Sequence, residues 1–97
     1  MALIKSITEA KNLLPLLRVQ KTENVMKKSG ENTIVLFDDN GDNYTAYGAS
    51  AVRLYMYLNA RVTVEHSVDV ATLKKEHDYI YFARLVKAGF KFAILNN

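Results

Sequence analysis

The chain has 97 residues, 49% of them hydrophobic and 24% charged, which suits one globular domain and leaves no room for two. It has no cysteine, so disulfides, thiolate zinc sites and cysteine nucleophiles are excluded, and a formal net charge of +3 is too small to name a partner. No signal-peptide stretch opens the sequence and no apolar run is long enough to span a membrane, so a cytoplasmic domain without membrane contact is expected. The charge is unevenly spread: residues 1–30 carry +4, residues 31–70 carry −4 and residues 71–97 carry +3. Both ends of the chain can face a polyanion and the middle repels one, although solvated lysine and glutamate explain most such runs.

Residues 4–17 have helical spacing, with Ile7, Ala10, Leu14 and Leu17 on one face and a capping box from Ser6 and Glu9. Pro15 should kink or end this helix. The segment Leu13-Leu14-Pro15-Leu16-Leu17 is apolar enough to dock on a partner, or to pack on its own domain. A second short helix is predicted over 22–28, with Thr22 as N-cap, Lys27 and Lys28 in the last turn and Gly30 as terminator. This divides the chain into an N-terminal helical arm, 1–21, and an α/β domain, 22–97.

Residues 33–37 are β-branched and aromatic, as in a buried strand. Asn40-Gly41 is the strongest short hairpin signal, and 43–47 is the return strand. Residues 48–58 read as a helix with Ala51, Leu54, Tyr55 and Leu58 inward. Val62, Val64, Val68 and Val70 alternate with polar residues, giving one strand or two short ones. Residues 76–88 form the clearest helix, with Tyr79, Phe82, Ala83 and Val86 inward, closed by Gly89 and followed by a strand over 90–95. Tyr57 and Tyr81 fall on outward faces. The predicted fold is α/β (α+β), a mixed sheet flanked by helices.

Four blocks in order then resemble one family. They are Ile34-Val35-Leu36-Phe37 running into Gly41-Asp42-Asn43-Tyr44-Thr45, a helix beginning near Ser50-Ala51, Leu58-Asn59-Ala60-Arg61-Val62-Thr63-Val64, and Tyr81 followed by Arg84-Leu85-Val86-Lys87-Ala88-Gly89-Phe90-Lys91-Phe92-Ala93-Ile94. Together they resemble the N-terminal, DNA-contacting domain of MutS mismatch-repair proteins, MutS domain I, over roughly residues 24–95. In that family a Gly-Asp-Phe-Tyr-Glu segment reads the mismatch. The Phe wedges into the base stack and the Glu hydrogen-bonds the mispaired base. The resemblance puts Asn43 at the Phe position and Thr45 at the Glu position. Asn43 has no ring, and Thr45 offers a short neutral hydroxyl in place of a carboxylate. Asp38, Asp39 and Asp42 flank the loop and disfavour phosphate. The family's Gly-x-Pro-x-His stretch is replaced by Thr72-Leu73-Lys74-Lys75-Glu76.

Catalysis is not expected. No phosphate loop, dinucleotide fingerprint or Ser-His-Asp spacing is present, and no cofactor is implied. Asp38, Asn40 and Asp42 match the start of a calcium loop, but Asn43 stands at its invariant glycine and Ala49 at its bidentate glutamate, so no metal is expected. His66 reads as a strand histidine and His77 as a helix-terminus residue. The expected function is a non-catalytic, DNA-associated domain without mismatch specificity, whose phosphate contacts are Lys74, Lys75, Arg84, Lys87 and Lys91. Lys21, Lys27 and Lys28 are the next candidates. The alternative is a protein-interaction or scaffold module that kept the fold and lost DNA binding.

Overall fold

The computed structural model describes residues 7–96, with side chains from residue 13 onward. The capping box expected at Ser6 and Glu9, and the inward side chains of Ile7 and Ala10, lie outside what is described. The elements run α1 (Ile7–Ser29), β1 (Thr33–Asp38), β2 (Asn43–Tyr47), α2 (Ala49–Leu58), β3 (Val62–Glu65), β4 (Val68–Lys74), α3 (Asp78–Lys87) and β5 (Lys91–Asn96). The five strands form one mixed sheet of order β3-β4-β2-β1-β5, in which only β1 and β5 are parallel. Among the described residues no helix is long and apolar enough to cross a membrane.

The first two predicted helices are one. The helix α1 continues through Pro15 and across the expected arm–domain boundary at residues 21 and 22. Thr22 is not an N-cap; it is buried in mid-helix and its hydroxyl donates to the Arg18 carbonyl at 2.8 Å. Proline removes one backbone donor, but its fixed φ is itself helical, and packing farther along the helix outweighs the loss. The packed stripe is Arg18, Val19, Thr22, Val25 and Met26, which spaces as i, i+1, i+4, i+7 and i+8. Leu14 and Leu17, expected inward, are exposed, as is Leu16. Gly30 ends the helix as predicted, at φ 110°.

The sheet buries both faces. Val35, Phe37, Tyr47, Val68 and Val70 pack under α1 with Val19, Val25 and Met26. Ile34, Leu36, Tyr44, Ala46, Ala71 and Leu73 pack against Ala51 and Leu54 of α2 and Leu85 of α3. Strand β1 therefore reads as a continuous apolar run, 0–1% exposed from Thr33 to Phe37. The predicted hairpin forms, with Phe37 opposite Thr45 and Asp38 opposite Tyr44. Beyond that pair β2 parts from β1 while staying paired with β4 through Tyr47, and α2 supplies partners to the first half of β1. The Val35 N–H donates to the buried Ser50 hydroxyl at 2.9 Å, and Arg53 donates to the Thr33 carbonyl at 3.1 Å.

On α2 and α3 four inward assignments move. Tyr55 on α2 is exposed. On α3 the inward residues are Tyr81, Phe82 and Leu85, while Tyr79, Ala83 and Val86 face outward. The 62–70 segment resolves into two strands joined by His66 and Ser67 at φ 50° and 64°, a tight two-residue turn. His66 is thus a turn residue and not a strand histidine.

Gly48 fixes how closely α1 approaches. It enters α2 at φ 63° and ψ −129°, and a Cβ placed on it would lie 2.5 Å from a Val19 methyl. Backbone strain in this region costs a side-chain-bearing residue on the order of 1–3 kcal/mol before any clash. Gly48→Ala is therefore expected to lower unfolding free energy by about 3 kcal/mol, read from urea midpoints. Adding Val19→Ala should recover the clash component only, leaving the backbone component in place; full recovery would show that φ is not strained.

Candidate nucleic-acid interface

The strand directions give the sheet two chemically different ends. β1, β4 and β5 finish, and β2 begins, at one end. The loop 39–42 and the segment 75–77 sit there, so Asp38, Asp39, Asp42, Glu76 and Asp78 gather at a carboxylate-rich end. At the other end α1 and α3 finish and β1 and β5 begin. Lys27 and Lys28 close α1, Arg84 and Lys87 lie in the last turn of α3, and Lys91 opens β5. The Lys91 Cε and Nζ lie 3.7 Å from where a Gly30 Cβ would be, which ties β5 to the end of α1.

The five expected phosphate contacts are thereby divided. Lys74 and Lys75 stand at the carboxylate end; Arg84, Lys87 and Lys91 stand at the lysine end, joined by Lys27 and Lys28. Lys75 is already engaged. Its Nζ lies 2.5 Å from Asp38 Oδ1 and 5.4 Å from the Tyr44 ring centroid. A cleft of about 420 Å³ opens beside it, lined by Gly41, Asp42, Asn43, Lys74, Lys75 and Glu76. Asn43 is exposed and lies opposite Lys74 on the neighbouring strand; Thr45 is half-buried opposite Thr72. These are the two positions that the resemblance placed at mismatch reading; Asn43 presents an amide beside Asp42 and Glu76, and Thr45 a hydroxyl between Phe37 and Thr72.

The loop between β1 and β2 is held from both sides. Asn40 turns the chain at φ 62°, and its N–H donates to Asp38 Oδ1 at 2.9 Å. On the α1 face, Arg18 donates to both Asp39 carboxylate oxygens, at 2.6 and 3.1 Å, and to the Tyr47 hydroxyl at 2.8 Å. Its guanidinium carbon lies 4.9 Å from the Phe37 ring centroid and 5.4 Å from that of Tyr47. Burial opposes this charge, but the hydrogen bonds to Asp39 and Tyr47 outweigh it and hold the Arg18 pKa above the ordinary arginine value. Sequence reasoning missed Arg18. On the opposite face the Tyr44 hydroxyl donates to Asp78 at 3.2 Å, and burial together with this bond pushes the phenol pKa up.

A family model described as MutS domain I matches residues 20–97. Among curated proteins none matches the chain.

The Lys75 hydrogen bond, and then the Asn40 N–H, hold the Asp38 carboxyl below the usual aspartate range. A folded pKa below the unfolded value of about 3.9 contributes stability above that pH and loses it as pH falls through the folded pKa. Stability should therefore drop as acid is added below about pH 4, and Asp38→Asn should flatten that part of the profile. Urea midpoints measured down to about pH 2 read the slope; an unchanged acid limb would show that Asp38 does not carry it.

Proposed function

The chain belongs to the MutS domain I family, and on that footing we propose that it is a non-catalytic DNA-associated domain that grips phosphate and does not read mismatches. The observation that carries this reading is the separation of charge within a fold of a DNA-contacting family. The lysine end gathers Lys27, Lys28, Arg84, Lys87 and Lys91, with Glu23 and Glu31 beside Lys27, so cations outnumber acids there while acids crowd the other end. Lys74 and Lys75 are the weaker half of the expected set, because Asp38 holds Lys75 and Asp42 and Glu76 line the same cleft.

The family's reading chemistry is an aromatic wedge and a carboxylate acceptor. Asn43 and Thr45 supply neither, and base stacking worth about 1–3 kcal/mol per base is forfeited with the ring. A protein-interaction module is the second reading. It is favoured by the exposed leucines 14, 16 and 17 of α1, which lie outside the matched residues 20–97.

Fluorescence anisotropy of matched, mismatched and single-stranded DNA at low salt separates these readings. Weak binding is expected, with Kd on the order of 10⁻⁴ to 10⁻⁶ M. If about three phosphates are neutralised, the log–log salt slope is near −3, and Arg84→Ala with Lys87→Ala should flatten it by up to ~2 for every sequence alike. A tenfold preference for a mismatch, about 1.4 kcal/mol, would overturn the assignment of Asn43 and Thr45 as non-reading. No binding at low salt would leave the interaction module.

A further inference from the structure

We infer that Tyr57 is a base-stacking ring, so that the α2–α3 face of the lysine end takes single-stranded nucleic acid in preference to duplex. The inference rests on the DNA reading and deepens it by naming the form of nucleic acid. Tyr57 lies on α2 and is 43% exposed. Its ring meets that of Phe90 at 4.9 Å between centroids and 73° between planes. In such an edge-to-face pair one ring offers only its edge, so Phe90 covers at most one face of Tyr57.

Phe90 is itself fixed. Its N–H donates to the Leu85 carbonyl at 3.0 Å, which seats it directly after the last turn of α3. The Arg53 guanidinium carbon lies 5.1 Å from the Phe90 ring centroid, and Arg53 also donates to the Thr33 carbonyl at 3.1 Å. Tyr57 therefore stands against an anchored neighbour, and a ring already held in place loses little rotamer freedom when a base stacks on it.

Charge brings phosphate to this ring. Arg84 and Lys87 stand in the last turn of α3, which leads into Phe90, and Arg53 precedes Tyr57 by one turn of α2. The sequence holds no Asp or Glu from Asn43 to Val64, nor from Tyr79 to Asn97. Glu23 and Glu31 lie with Lys27 about the end of α1, which covers the opposite face of the sheet. Tyr79 is more exposed, at 67%, but it adjoins Asp78 at the carboxylate end. An unpaired base has free faces to stack, whereas in a duplex those faces are already stacked on their neighbours. Tyr57 therefore adds affinity only for unpaired bases, while Arg84 and Lys87 attract the phosphates of either form.

The test uses the whole 97-residue chain, with a short oligothymidylate and a short matched duplex compared by anisotropy at equal low salt. Tyr57→Leu should weaken oligothymidylate binding about fivefold or more and duplex binding by less than about twofold. The salt slope of both should stay as it is, because the ring holds no phosphate. Tyr57→Phe keeps the ring and should bind like the parent chain, whereas Arg84→Ala with Lys87→Ala should flatten both slopes. In NMR spectra the Tyr57 ring protons should shift upfield with oligothymidylate and stay in place with duplex. That measurement needs no variant, so it decides even where Tyr57→Leu misfolds. Equal losses for both nucleic acids in a folded Tyr57→Leu chain, or no loss for either, overturn the inference and leave the DNA reading standing. Ring protons that do not move while oligothymidylate binds overturn it equally. No binding of either nucleic acid removes the DNA reading, and this inference with it.

Discussion

A guanidinium in an apolar layer must be answered, and the way Arg18 is answered sets the geometry of one whole face of the sheet. Burying a charge without partners costs several kcal/mol, so the side chain reaches the one place where a carboxylate, a hydroxyl and two ring faces converge. Asp39 belongs to the hairpin loop, Tyr47 to the end of β2 and Phe37 to β1. One residue of α1 therefore locks three parts of the sheet at once. Its planar fork is what permits this, since a lysine could not meet both carboxylate oxygens and the phenol in one geometry. With Arg18 fixed, the next inward residue, Val19, lies directly over Gly48, and only a residue without a Cβ fits beneath it.

β2 repeats the device on both faces. Tyr47 points under α1 and its hydroxyl meets Arg18; Tyr44 points under α3 and its hydroxyl meets Asp78. Each ring contributes its apolar body to a core cluster, and each polar tip finds an ion on the covering helix. Asp38 and Lys75 close a further pair at the same end. The end of the sheet that carries Asn43 is thus tied by internal pairs, with Arg18 and Lys75 turned toward carboxylates of their own chain.

Those inward ions also explain what the sequence concealed. Hydrophobic spacing located every strand, the hairpin at Asn40, the helix after Gly48 and the stop at Gly89, because each is marked by apolar periodicity or by a residue tolerating positive φ. It misplaced the inward faces of two helices. On α1 the true stripe contains Arg18 and Thr22, so a search for apolar residues slid onto Leu14 and Leu17. On α3 the stripe begins with the half-buried Asp78, and the apolar count slid by one to Tyr79, Ala83 and Val86. Both errors have one cause: a polar residue faces inward because a distant tyrosine awaits it, and that partner lies 29 or 34 residues away. Thr22 misled in the same way, since a hydroxyl that bonds the carbonyl four residues back resembles, as a sequence, one that caps a helix. The split of the candidate lysines was hidden for a simpler reason. Lys75 and Lys91 are close in sequence, but α3 carries the chain from one end of the sheet to the other between them.

That traverse decides what any contact with DNA can do. β5 covers about 16 Å from Lys91 to Asn96 at ~3.3 Å per residue, so the lysine cluster and the loop holding Asn43 are separated by nearly the full length of the sheet. Charges interact over about 8 Å at physiological ionic strength, roughly half that span. The two ends therefore act independently. A phosphate backbone drawn to Lys27, Lys28, Lys87 and Lys91 gains nothing from the hairpin loop, and a base presented to Asn43 meets Asp42, Glu76 and Lys74, out of reach of that cluster. In a mismatch reader the phosphate grip must hold the duplex where the wedge enters, because the cost of unstacking is met by contacts made in the same act of binding. On the proposed reading the lysine cluster and Asn43 lie at opposite ends of the sheet. On that reading, the placement of charge opposes mismatch reading as much as the absent ring does, and a phenylalanine at Asn43 alone would leave a wedge without a phosphate grip behind it.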